Sequence, residues 1–245
     1  MHSYQVSVDA YKTAWFLGTA IAFLLAASMA GQVFRHEVGP HPLDGLVPLF
    51  DVDSERNIPT FFTVILALYS ALLLAVIAAG SKDRRERFHW RLLCAGFVFI
   101  AYDEAFQVHE RLIAPMRELL GNKDLGYLYF GWVVPGIAGV CIVALFFLGF
   151  LRRLPAATRR RMLAAGGLYV AGCLGMELID GKYLEAHGYT LFYSFLTTIE
   201  EGLEMTGLAA LVYALLGHIA SNSGKVEFHV SAGMRMQAMP VAQVE

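Results

Sequence analysis

The sequence predicts an all-α, polytopic membrane helical bundle of six transmembrane helices with both termini cytoplasmic, and three observations lead there. Apolar residues make up 57% of the chain against 16% charged, with a mean hydropathy of +0.52, a balance unlike that of ordinary soluble domains. Six stretches approach or exceed the roughly 20 apolar residues that cross a hydrocarbon core of about 30 Å. Each must be helical, because lipid offers the backbone no hydrogen-bond partners. Lys and Arg then gather between particular stretches, which orients the bundle.

The first span covers residues 13–34. Its end, ASMAG, imitates a signal-peptidase site, but the leader MHSYQVSVDAYK holds one Lys beside Asp9. The apolar run is also longer than a usual leader core, so an uncleaved helix is expected. The second span, 58–80, follows FDVDSERNIPT, where Asn57 suits an N-cap and Pro59 the first helical turn. The third is 92–113 and the fourth 127–151. Tyr127, Tyr129, Trp132, Phe192 and Tyr193 fit an interfacial aromatic belt. The fifth, 163–181, carries Gly167, Ala171 and Gly175 at spacing four, a ladder expected to let a neighbouring helix approach closely. The sixth is 193–218, closing a single domain of residues 1–218; residues 219–245 lack any period and read as a disordered cytoplasmic tail.

Five basic residues lie in SKDRRERFHWR and five in LRRLPAATRRR. With Lys12, Lys225 and Arg235 they put thirteen on one side of the membrane, against six on the other: Arg35, Arg56, Arg111, Arg117, Lys123 and Lys182. The richer side is cytoplasmic. The implied location is a bacterial cytoplasmic (inner) membrane.

The acids are distributed unevenly. Spans one, two and four contain no Asp, Glu, Lys or Arg, whereas span three holds Asp103, Glu104, His109 and Glu110, span five Glu177 and Asp180, and span six Glu200, Glu201 and Glu204. At a rise of about 1.5 Å per residue, all three acid-bearing spans bring their carboxylates to the extracytoplasmic half of the membrane. At about 100° per residue, Asp103, Glu104 and Glu110 share one arc of span three while His109 falls well off it; Glu200, Glu201 and Glu204 share one face of span six. By the same count the ladder of span five lies opposite Glu177. Eight ionised carboxylates in a low-dielectric layer would repel one another, so protons, bound cations or a water-filled cavity must compensate them.

These acids, with at most one imidazole and no thiolate in the layer, favour a hard divalent cation: calcium, magnesium or manganese. Cys94, Cys141 and Cys173 fall in different spans without metal-type spacing and read as small core residues. The expected function is binding of a divalent cation or protons, in ion transport or permeation. An alternative is a membrane di-metal carboxylate oxidoreductase holding iron and acting on a lipid or quinone-like substrate. Its usual pair of Glu-x-x-His units is missing, since His109 and Glu110 are adjacent. A further alternative is an accessory subunit whose acids are structural. Asp51, Asp53, Glu55 and Asn57 alternate ahead of span two. They suit either a cation-attracting mouth or a polar capping turn, and they do not match an EF-hand loop. The implied partners are the lipid bilayer and a metal ion. No phosphate-type glycine loop occurs, and topology explains the basic runs, so nucleic acid is not among them.

FDVDSERNIPTFF, YDEAFQVHER and TIEEGLEMTG resemble a group of bacterial multi-pass membrane proteins of uncharacterised activity. The resemblance spans about residues 45–218. It implies an integral membrane protein and brings no activity with it.

Overall fold

The computed structural model describes residues 8–38 and 45–223, which hold helices and no strand. The helices are α1 (Ala10–Val38), the short α2 (Val47–Phe50), α3 (Ile58–Gly80), α4 (Arg84–Phe106), the short α5 (Ile113–Leu119), α6 (Val133–Arg153), α7 (Ala156–Val170), α8 (Glu177–His187) and α9 (Leu191–Ser223). A π-helical segment, Ala171–Met176, joins α7 to α8 without a break. The tail expected over 219–245 lies outside the described residues from 224 onward, while 219–223 complete α9.

Local chemistry sets several ends. Asn57 caps α3 by accepting the Thr60 N–H at 3.1 Å, with Pro59 in the first turn, as the sequence predicts. Asp83 accepts the Arg85 N–H at 3.0 Å at the start of α4. α4 stops at Phe106 because Gln107 turns left-handed, φ 53° and ψ 48°. The helix expected over 92–113 is therefore broken, and residues 110–112 make a 3-10 turn before α5.

α9 is the central element, packed on α1, α3, α7 and α8. Beyond Glu204 it presents Met205, Leu208, Val212 and Leu215, all buried, to a core that includes Leu66, Leu74 and Ile77 of α3. This half of the bundle is apolar throughout its centre. Outward faces are apolar as well: Phe16, Leu72, Phe99, Ile142 and Leu145 are exposed, as in helices whose surroundings are lipid.

Five helical stretches are long and apolar enough to cross a membrane: Ala10–Glu37, Ile58–Gly80, Val133–Arg153, Ala156–His187 and Leu191–Ser221. α4 has the length, with 23 residues, but it begins in the basic run and ends in the acids, which lowers its hydropathy. It packs extensively along α3.

Between apolar helices in lipid, close backbone approach does much of the work that water does in a soluble core. Two glycines provide it. A Cβ on Gly207 would stand 2.6 Å from the Tyr169 nitrogen of α7, and one on Gly172 would stand 2.7 Å from Cγ of Glu204 and 2.8 Å from the Glu200 carbonyl oxygen. The ladder of Gly167, Ala171 and Gly175 does not serve this purpose. Gly167 and Gly175 have open space where a Cβ would go, and with Ala171 they line an apolar groove beside Ile137, Val140 and Cys141 of α6. The close approach is made on the other side of α7, toward α9.

Candidate functional site

The break after α4 creates the first part of the site. The Asp103 carboxylate accepts the His109 N–H at 2.9 Å and faces the His109 ring Nδ1 at 2.9 Å, while the Asp103 carbonyl accepts the Val108 N–H at 3.4 Å. The carboxylate thus takes over backbone donors that the ended helix leaves free. An uninterrupted helix would carry His109 away from Asp103; the left-handed residue between them folds it back. The separation expected from helical facing is corrected on this point.

His109 next meets Trp132, ring centroids 4.6 Å apart. The indole N–H of Trp132 donates to Glu177 Oε1 at 2.8 Å. Trp132 belongs to no mere interfacial belt: it connects the broken end of α4 to the first residue of α8. Tyr193 also departs from the belt, donating its hydroxyl to Asp53 at 3.4 Å.

α8 presents Glu177 and Asp180 toward α9. Asp180 is fully buried at 0% exposure, and neither carboxylate oxygen receives a hydrogen bond from a backbone or hydroxyl donor. The Glu200 carboxyl is the group in hydrogen-bonding position to Asp180 and to Glu177. Glu200 and Glu204 are 9% and 8% exposed.

Adjacent positions on a helix diverge by about 100°, so Glu200 and Glu201 point to different neighbours. Glu201 lies in the field of Glu204, Glu104, Glu55 and Asp53. Glu204 shares both surroundings, facing Glu104 and Glu55 on one hand and Glu177 on the other. Glu110 is exposed at the edge, beside Glu55 and Glu104. The structure therefore gathers all nine sequence-predicted residues, Asp103, Glu104, His109, Glu110, Glu177, Asp180, Glu200, Glu201 and Glu204, into one connected neighbourhood on α4, α8 and α9.

The loop ahead of α3 closes that neighbourhood. Asn57 donates its side-chain amide to the carbonyls of Asp51 and Ser54, at 2.5 and 2.7 Å, and Ser28 of α1 accepts the Val52 N–H at 3.1 Å. Held this way, Asp53 and Glu55 face the acids. Both of the functions expected for the alternating acids are thus present, capping by Asn57 and an acidic rim by Asp53 and Glu55. Burial, then the charge of Glu110, pushes the Glu55 carboxyl up to about 7. Enclosure by the surrounding protein, then the charge of Asp51, pushes Asp53 up to about 6, although it keeps accessible surface.

Carboxylates are the right donors for a hard cation. Among the described residues, however, no three His, Cys, Asp or Glu side chains converge as a ready metal-ligand set. The spacing present suits shared protons directly, and a cation after side-chain rotation.

A domain of unknown function, DUF8692, matches residues 14–218. The chain belongs to this family. The DUF8692 match covers every helix of the acid neighbourhood, from the rim before α3 to Glu204 on α9. No curated protein and no solved structure matches the chain.

Proposed function

We propose that this DUF8692 chain is a six-span protein of the bacterial inner membrane. In this reading both termini are cytoplasmic, and an extracytoplasmic-side carboxylate cluster binds protons or a divalent cation, calcium, magnesium or manganese, in the course of ion transport. One observation carries the reading: Glu200 and Glu204, each less than a tenth exposed, face other carboxyl groups. Glu200 faces Glu177, Asp180 and Glu204. An ionised carboxylate near mid-membrane costs at least about 2.5–3.5 kcal/mol, so a cluster retained at that cost needs positive charge from protons or cations. α4 supplies the sixth span, its charged ends reaching the two surfaces and its flank shielded by α3. The basic runs before α4 and between α6 and α7 set the orientation.

The test is elemental analysis of detergent-purified protein beside its Glu201→Gln variant, paired with calcium or manganese uptake into proteoliposomes under an imposed pH gradient. Gradient-dependent uptake lost in Glu201→Gln is the expected result. Stoichiometric iron would instead support the di-metal oxidoreductase, and the absence of both metal and flux would leave an accessory subunit with structural acids.

A further inference from the structure

The acids divide into two sets, and the division follows from α9. Glu200 looks toward α8, where Glu177 and Asp180 lie. Glu201, one residue on, looks toward Glu104 of α4 and the rim residues Glu55 and Asp53. Glu204 lies about 40° from Glu200 and about 60° from Glu201 around the helix and faces both sets.

The α8 set has a feature the other lacks. Asp180 is wholly enclosed, and both its oxygens are without a backbone or hydroxyl donor. Buried polar atoms in native structures nearly always find a partner. The group in position is the Glu200 carboxyl, and two carboxyl groups can hydrogen-bond only when one of them holds a proton. Glu177 is fixed differently, by the Trp132 indole N–H at 2.8 Å, so it is already supplied with a donor. The other titratable groups facing this set are Glu204 on α9, Cys173 on the π segment, His109 beyond Trp132, and Asp53 and Tyr193 at the rim. None of these is a lysine or arginine.

We infer that Asp180 and Glu200 form a dedicated proton-binding site, one proton shared between the two carboxyl groups, distinct from the set Glu55, Glu104 and Glu201, with Glu204 standing between the two. The proton moves from the Glu200 oxygen to an Asp180 oxygen and back, so no charge is gained or lost in the pair until Glu204 or an outside base accepts it. This rests on the ion-handling reading and deepens it by naming the proton as one ligand and giving its place.

The experiment is infrared spectroscopy of the full chain in lipid at neutral pH, in H2O and D2O, with manganese binding measured in parallel by electron paramagnetic resonance. The native protein should show a deuterium-sensitive carboxylic-acid C=O band. It should disappear in Glu200→Gln and in Asp180→Asn, whose amides still donate across the pair and so preserve folding, and persist in Glu201→Gln. Glu200→Asp, which keeps an acid, should retain a displaced band. A band unchanged in both amide variants, or one lost in Glu201→Gln, overturns the assignment. Manganese binding lost in Glu201→Gln alongside such a result would overturn the inference alone and leave the ion-handling reading standing. A Glu200-dependent band in a protein that binds no manganese would support the inference and narrow the reading to protons. Neither band nor manganese binding would overturn both.

Discussion

Glu55 shows how a rim residue can report on the whole cluster. Its carboxyl is raised from 4.5 to about 7 by burial and then by Glu110, so the folded protein holds this proton more tightly than the unfolded chain does. Stability should therefore fall as pH rises from about 4.5 to about 7. Melting curves in detergent across that window should show the decline, and Glu55→Gln should flatten it; a slope indifferent to the substitution would place the titration at another group. The identities of the acids were legible in the sequence, because Asp and Glu within apolar runs announce themselves. Their partners were less so. His109 was assigned the wrong neighbours because a constant turn of about 100° assumes a continuous helix, and the left-handed Gln107 carries no mark in its side chain that separates it from an ordinary helical Gln. Trp132 and Tyr193 looked like belt residues because an indole or phenol at a span end has the same sequence appearance whether it meets headgroups or a carboxylate.

Among the elements, span positions were the easiest to read, since hydrophobic length is a property of composition alone. Which face of a span packs tightly was not. Gly167, Ala171 and Gly175 satisfy the small-residue pattern yet border an open groove, while Gly172 and Gly207 make the close approaches. The π segment explains the difference: one extra residue in the turn rotates everything after it, carrying Glu177 and Asp180 round to the side of Gly172. Gly207→Ala should thus destabilise the bundle by about 1–3 kcal/mol, through overpacking against the Tyr169 backbone, whereas Gly175→Ala, with open space at its Cβ, should change stability by less than about 0.5 kcal/mol. Unfolding in graded denaturing detergent compares the two. Equal effects would mean that the α7–α9 contact is looser than the geometry requires.

For the molecule as a whole, polar chemistry is confined to one end. Past Glu204 the centre consists of Met205, Leu208, Val212 and Leu215 against Leu66, Leu74 and Ile77. Such a centre offers no polar path through the bundle, so the protein should not behave as an open pore: planar bilayers holding it should show no ohmic current, and any flux should saturate with ion concentration. A linear current would require a different arrangement of α9. The same asymmetry bears on electrical behaviour. A transmembrane voltage falls mainly across the least polarisable part of its path, here the leucine-rich half, at about 2.3 kcal/mol per elementary charge per 100 mV. Loading the carboxylates from their own side should then be nearly insensitive to voltage, while discharge toward the far side would traverse almost the entire field.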